Sequence, residues 1–351
     1  MLLFDLGVLI TSLHFVQPIG YYSVISKRKL STTPTNRPLP LISIIIPTYN
    51  ERARIRKKLK NVFEKTKGEN VEVIIIDSSK DGIEEELREF SDVKLIKQQN
   101  RTGKIHAVKE AMRQSKGDIV VVTDADAIWI DPLSNALSYL NGKVGAVTCV
   151  KHSYGELENS YRDFYNDVRV GESAMFSTPI FNGEMVAFNR NLITPEEIPT
   201  VGADDSTIAT LLSLKGYRAI SIPTMRVVEE SPKKILEYLS WKTRRGSHLV
   251  RHFLRNVIKV MRSSNKDFKI VFAEETYLHT VGPWFLIIGL SLMLFSAPVI
   301  TMGVIAIASL FMVNKRFRKI ALAWIPNQIA LILSQFFAMK GEVIVWRKEL
   351  K

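Results

Sequence analysis

The chain has 351 residues, with 48 Lys and Arg against 35 Asp and Glu, for a formal charge of +13. At 46% hydrophobic and 24% charged it is too apolar for a disordered chain and long enough for a folded core. The single Cys149 excludes an internal disulfide and a multi-cysteine metal site, and no nucleic-acid motif accompanies the basic excess, so nucleic acid is not an expected partner.

Residues 6–26 hold no Asp, Glu, Lys or Arg and are followed by Lys27-Arg28-Lys29. A secretory signal carries its basic residues before the apolar run. The reversed order predicts a retained N-terminal membrane anchor over 1–26, with the chain after it on the cytoplasmic side. Asp5 and Pro18 weaken it as a span, and a helix lying in the interface is the alternative. The stretch 27–40, with STTPTNRPLP at 31–40, reads as a linker.

A soluble α/β pattern fills 41–232. Strands are expected at 42–46, 71–76, 93–97 and 118–124, with helices at 52–65, 83–90, 104–114 and 206–214 between or after them. Strands alternating with helices predict a doubly wound, mostly parallel sheet. The unbroken Ile/Val runs predict strands covered on both faces. Ligands of such sheets bind beyond the carboxyl ends of the strands. Pro47, Asp77 and Asp124 all follow strands and so point to one edge.

After Pro232 the character changes. Over 233–262, Arg244, His248, Arg251, Arg255, Lys259 and Arg262 fall on one face of a helix, with Leu249, Val250, Phe253, Leu254, Val257 and Ile258 on the others. The stretch 233–280 is therefore expected as amphipathic interfacial helices. No charged residue occurs over 281–313 or 320–339, which predicts a C-terminal transmembrane region at 281–340 with two or three spans. One helix over 281–313 would be about 50 Å long at ~1.5 Å per residue against a core of ~30 Å, so Pro298 is expected to break the run into a hairpin. The basic cluster at Lys315, Arg316, Arg318 and Lys319 would then return to the cytoplasm. A further crossing over 320–339 would carry the basic tail 341–351 outside, against the same rule, so the side of the tail stays open.

Thr123-Asp124-Ala125-Asp126-Ala127 carries the strongest chemical signal. Carboxylates at i and i+2 beyond a buried strand offer hard oxygen ligands to Mg²⁺ or Mn²⁺, ions that usually also hold phosphate oxygens. Asn100-Arg101-Thr102-Gly103-Lys104 places a glycine and an ammonium at a helix start, which suits a diphosphate but lacks the spacing of a P-loop.

The ordered set IIIPTYNE (44–51), VIIIDSSKDG (73–82), NRTGKIHAV (100–108), VVVTDADA (120–127), FNGEMVAFNR (181–190) and GADDS (202–206) resembles the family 2 glycosyltransferases, which share the GT-A fold. The resemblance covers roughly 41–220. It implies that Pro47, Tyr49 and Glu51 line the nucleoside, Asp77 bonds the base, and Lys104 stands near base and phosphates. Asp124 would contact the ribose or sugar, and Asp126 would ligate the metal. The second residue of Asp204-Asp205 aligns with the catalytic base, and Gly183, Glu184 and Asp204 fall on the acceptor side. Arg244 and Arg245 lie where processive synthases and glucosylceramide-type enzymes carry a Gln- or Arg-x-x-Arg-Trp motif. Arg245 replaces the Trp, which argues against a polymer-extruding role. Either arginine suits the diphosphate.

The expected activity is a membrane-bound, metal-dependent, inverting glycosyltransferase at the cytoplasmic face of the cell membrane. It would use Mn²⁺ or Mg²⁺ and move a sugar from a nucleotide donor, uridine being the first expectation, to a lipid or lipid-linked acceptor. A polyprenyl-phosphate sugar synthase and, in another class, a metal-dependent nucleotidyltransferase are the alternatives.

Overall fold

A computed structural model describes residues 1–200, 203–232 and 234–339. Lys340 and the basic tail 341–351 lie outside the described residues. The chain begins with helix α1 (Leu2–Ile25) and a linker, then alternates β1 (Ile42–Thr48), α2 (Arg52–Lys65), β2 (Val71–Asp77), α3 (Ile83–Leu87), β3 (Val93–Lys97), α4 (Lys104–Gln114) and β4 (Ile119–Val122). There follow β5 (Ile128–Trp129), α5 (Ser134–Leu137), β6 (Val144–Ser153), α6 (Glu156–Met175), β7 (Val186–Asn189), α7 (Asp204–Leu214) and β8 (Arg218–Glu229). The C-terminal part is helical: α8 (Ile235–Arg262), α9 (Lys266–Thr276), α10 (Gly282–Ser296), α11 (Pro298–Leu310) and α12 (Lys315–Met339).

The eight strands form one sheet in the order β3-β2-β1-β4-β7-β6-β8-β5. β1 to β4 run parallel, β7 is antiparallel to both its neighbours, and β6 and β8 are parallel to each other. The mostly parallel GT-A-like expectation therefore holds, with four strands, β5 to β8, beyond the four expected from the sequence, β5 pairing antiparallel to β8. β7 is only four residues long and follows a turn, so it has no periodicity to read. Parallel pairing aligns the carboxyl ends: Thr48 lies opposite Asp77, and the Thr123 amide donates to the Ile45 carbonyl at 3.1 Å. The isoleucines and valines of β1, β2 and β4 face both ways into two apolar layers, one including Ile55, Leu59 and Val62 of α2, the other Val108, Ala111 and Met112 of α4.

The helical part is joined to this sheet rather than tethered beside it. Phe253 and Val260 of α8 form a third apolar cluster with Phe268 and Phe272 of α9 and Ile180. Tyr21 of α1 donates to Glu172 of α6 at 2.9 Å, and Tyr22 stacks on Phe164 with ring centroids 4.3 Å apart. The linker is pinned as well, since Arg218 donates to the Thr32 hydroxyl at 2.8 Å. Gly7 of α1 and Gly289 of α10 meet so closely that a Cβ on Gly7 would stand 2.8 Å from the Gly289 carbonyl oxygen.

Among the described residues two helical stretches are long and apolar enough to cross a membrane, Leu2–Ile25 and Lys266–Ser296. The second starts before the uncharged run and passes through a π-helical turn at Tyr277–Val281. The chain breaks at Ala297-Pro298, as the proline suggested, but α11 has 13 residues, about 20 Å at ~1.5 Å per residue, which is shorter than the bilayer core. The expected crossing over 320–339 forms α12, which lies along α8. Ser334 donates to the Thr243 carbonyl at 2.9 Å, and Arg251 donates to the Phe337 carbonyl at 3.1 Å.

Candidate active site

A cavity of about 380 Å³ opens at the carboxyl ends of the central strands. Its floor comes from the sheet: Asp124 and Asp126 after β4, Gly183 before β7, and Gly103 and Lys104 at the start of α4. Asp204 and Asp205 at the start of α7 form one wall. Trp241, Lys242, Arg244, Arg245 and His248 of α8 form another, closed by Asn327, Ala330 and Leu331 of α12. Gly103 adopts φ 97°, a conformation that favours glycine, and so turns the chain into α4 with Lys104 as its first residue.

Lys104 sits among carboxylates. Its Nζ is 2.8 Å from Asp124 Oδ1 and 3.6 Å from Asp204 Oδ2. Burial works against its charge, but Asp124, Asp204 and Asp205 outweigh that and hold its pKa above the ordinary lysine value. Burial raises the Asp124 pKa, with Asp126 adding to the rise and Lys104 opposing it. Burial, together with the neighbouring Asp204, pushes Asp205 up to about 7 against the pull of Lys104. Gly183 lies directly against this cluster. A Cβ there would stand 3.1 Å from Asp205 Oδ2 and 3.3 Å from Lys104 Nζ.

A second charged cluster lies beneath the first. Glu184, fully buried, is 2.5 Å from Lys151 Nζ and 2.7 Å from Arg245 Nη2. Glu229 pairs with Lys151 as well, and with Arg245 Nη1 at 2.9 Å. Burial opposes ionisation of Glu184, yet Lys151 and Arg245 hold its pKa below the ordinary glutamate value. The Arg245 guanidinium lies 4.7 Å from the centre of the Trp241 ring, so the side chain in the place of the expected Trp is itself stacked on a Trp one helical turn earlier. Further along the wall, Lys242 and Arg162 converge on Glu158, at 2.7 Å and 2.5 Å. Burial lowers Lys242 to about 7 in spite of Glu158.

Of the residues singled out from sequence, Lys104, Asp124, Asp126, Gly183, Asp204, Asp205, Arg244 and Arg245 line the cavity together. Glu184 does not. It lies below the floor, engaged by Lys151 and Arg245. Pro47, Tyr49, Glu51 and Asp77 lie at the carboxyl ends of β1 and β2 and are not among the residues that line the cavity. Asp77 is fully buried, accepting from Thr48 at 2.8 Å and from Lys97 at 2.9 Å. The Arg101 guanidinium lies 3.5 Å over the Tyr49 ring. Glu51 pairs with Arg54 at 3.3 Å. Sequence reasoning gave no role to Lys151, Glu229, Trp241, Lys242 or Asn327. One signal was available: Glu229 ends a strand, as Asp77 does.

The donor set fits a divalent cation of the Mg²⁺ or Mn²⁺ kind. Such ions take one or two carboxylates and complete their shell with water and phosphate oxygens. Asp124 and Asp126 supply carboxylates on the cavity floor, and among the described residues no group of three or more His, Cys, Asp and Glu could hold a metal by itself. A protein-only cage is therefore not what this arrangement suits, whereas a site completed by a diphosphate is.

Comparison with known proteins gives three findings. A model of the glycosyl transferase family 2 domain matches residues 43–198. A solved structure of a mannosyltransferase from Pyrobaculum calidifontis, in complex with GDP-Man and Mn²⁺, is similar at 34% identity and a TM-score of 0.84, over 96% of this chain and 99% of that one. Among curated proteins, a dolichol-phosphate mannosyltransferase from Pyrococcus furiosus is 35% identical over 89 residues, which cover 24% of this chain and 25% of its own length. A UDP-Glc:alpha-D-GlcNAc-diphosphoundecaprenol beta-1,3-glucosyltransferase from Escherichia coli is 24% identical over 177 residues, 47% of this chain and 66% of its own. These curated matches thus span from a quarter to just under two thirds of the relatives' lengths.

Proposed function

The chain belongs to glycosyl transferase family 2, and from that premise we propose that it transfers a mannosyl group from GDP-mannose to a lipid or lipid-linked acceptor at the membrane surface, with inversion. One observation carries the reading. A single cavity brings a metal-type carboxylate, Asp126, a cation, Lys104, and a carboxylate poised near neutral pH, Asp205, against a wall made by α8 and α12. Transfer to a hydroxyl acceptor would use all three groups. Displacing a nucleoside diphosphate builds negative charge on the leaving group. Lys104 supplies positive charge there, and the acceptor hydroxyl gives its proton to Asp205, whose pKa near 7 suits a general base at physiological pH. A divalent ion held by Asp126 would neutralise further charge on the diphosphate.

Guanosine replaces uridine as the first choice because the Pyrobaculum relative, matched over nearly the whole chain, holds GDP-Man and Mn²⁺. Mn²⁺ is the first metal to test and Mg²⁺ the second. The catalytic unit is read as 41–232, the helices of 233–280 as interfacial, and 1–26 with the uncharged run 281–313 as the membrane-embedded part, while α12 packs on α8 at the cavity wall. Two stretches long enough to span a bilayer support that reading, and Lys27-Arg28-Lys29 after α1 supports a multi-pass protein of the cell membrane with the catalytic domain on the cytoplasmic face. A second reading, a polyprenyl-phosphate acceptor, is favoured by the match to the dolichol-phosphate mannosyltransferase.

The test is nucleoside diphosphate release by the full chain in detergent from a panel of GDP- and UDP-sugars, with Mn²⁺ or Mg²⁺ and native lipid extract. Metal-dependent release from GDP-mannose, lost in Asp126→Asn, is the expected result. Release from UDP-sugars alone would return the donor to uridine. Release insensitive to Asp126→Asn would remove that residue from the metal site.

A further inference from the structure

Lys58 is buried in the middle of α2, and it is the one lysine or arginine of that helix that is. Its ammonium donates at 2.8 Å to the Thr123 hydroxyl and at 2.8 Å to the Ala127 carbonyl. These are the two ends of the Asp124-Ala125-Asp126 loop. One helical turn on, Asn61 holds the next piece of the same segment. Its amide donates to the Trp129 carbonyl at 2.8 Å and its oxygen accepts from the Trp129 amide at 2.8 Å. The Lys58 ammonium also lies 4.5 Å from the centre of the Trp129 ring. From Thr123 the chain of bonds continues, since its hydroxyl donates to the Glu184 carbonyl at 2.6 Å. The Trp129 indole donates to that same carbonyl at 3.3 Å. Glu184 follows Gly183, where a Cβ would stand 3.1 Å from Asp205 Oδ2 and 3.3 Å from Lys104 Nζ.

We infer that Lys58 is a positioning residue for the metal site: one buried ammonium fixes both ends of the Asp124–Asp126 loop and, through Thr123 and the Glu184 carbonyl, sets that loop against the turn that meets Asp205. Packing alone does not call for a lysine. A methionine fills much the same space with no polar group to desolvate, whereas burial pushes the Lys58 amino group down to about 7, a cost that its hydrogen bonds must offset. The bonds Lys58 makes all go to the segment that carries the carboxylates. Its role toward a metal is that of an outer partner, which orients ligands without touching the ion.

The inference rests on the reading of Asp126 as a metal ligand, and the experiment separates the two. Mn²⁺ binding to the full chain in detergent with GDP present is followed by the electron paramagnetic resonance of free Mn²⁺, for wild type, Asp126→Asn, Lys58→Met and Lys58→Gln. GDP binding without metal is measured alongside. Lys58→Met is expected to weaken Mn²⁺ binding by about 10- to 100-fold while leaving metal-free GDP binding within about twofold. Lys58→Gln, which keeps an uncharged donor, is expected to fall between. A purely structural lesion would move GDP binding and Mn²⁺ binding together, and that result overturns the proposal. Lys58→Met binding Mn²⁺ as wild type does, while Asp126→Asn does not, overturns the role of Lys58 alone. Asp126→Asn binding as wild type does overturns the metal assignment and this inference with it. If Lys58→Met does not fold, Lys58→Gln decides by the same comparison.

Discussion

Two charged clusters meet at the carboxyl ends of this sheet, and they differ in balance as well as in burial, the carboxylates of the cavity being partly exposed and those beneath it almost fully buried. In the cavity, Lys104 stands among Asp124, Asp204 and Asp205. Beneath it, Lys151 and Arg245 face Glu184 and Glu229 as two cations to two carboxylates. Burial alone would raise every one of these carboxyl pKa values. It does so in the cavity, where Asp205 reaches about 7 and Asp124 is also raised. Below, the paired cations reverse the direction and Glu184 is held low. The balanced cluster fixes the floor and the α8 wall, and the unbalanced one keeps a carboxylate ready to take a proton.

The difference is broken most severely at Asp205. Asp205→Asn is expected to reduce turnover of a hydroxyl acceptor by about 10²–10⁴-fold, the range typical of a lost general base. The thermal midpoint at pH 8 should not fall, because the carboxylate removed is one that the fold holds ionised against burial and Asp204. An acceptor that is itself an ionised phosphate needs no base, so its transfer should suffer less. Near wild-type turnover of the hydroxyl acceptor would remove Asp205 from the base role, and equal loss on both acceptors would point to binding instead.

Lys151→Met attacks the balanced cluster and should do the opposite. It leaves Glu184 and Glu229 buried with Arg245 as their remaining cation from the cluster, at a cost of about 3–5 kcal/mol in stability. A clear fall in the thermal midpoint is expected at pH 8, partly restored at pH 5, where the carboxyls take up protons more readily. An unchanged midpoint would show that the lower cluster does not hold the floor.

The parts that were legible in the sequence share a physical cause. Asp77 directly follows a run of Ile and Val, and Asp124 follows one after the single Thr123, so a buried parallel strand and its acidic end are written side by side. Lys104 follows a glycine that opens its helix, again a local signal. The remainder depends on pairing across long separations. Lys151 in β6 meets Glu184 from the turn before β7 and Glu229 from the end of β8, and nothing near it in sequence marks it. Lys58 looks like one more charge on a basic helix, and only the packing of α2 on the sheet shows that it points inward. Likewise the run over 320–339 reads as a bilayer crossing by composition. Its contacts with α8, and the place of Asn327 in the cavity wall, emerge only with the tertiary structure.

The finest distinction between the clusters is how far the excess of carboxylates, rather than burial, sets the Asp205 pKa. The general base must be ionised, so kcat/KM should rise with pH through about 7 and level off above it. Below that point it should fall tenfold per pH unit. After burial, Asp204 is the largest influence raising Asp205. Asp204→Asn removes that like charge while keeping the side chain's shape. It should therefore move the limb of the profile to lower pH, by about one unit, or ~1.4 kcal/mol. The plateau should change less than in Asp205→Asn, because the base itself remains. Lys104 opposes the rise, so Lys104→Met should move the limb the other way, to higher pH. Opposite shifts in the two variants would establish that charge balance tunes this carboxylate. A limb that stays fixed in both would mean that burial alone sets it, and the contrast between the clusters would then lie only in their pairing.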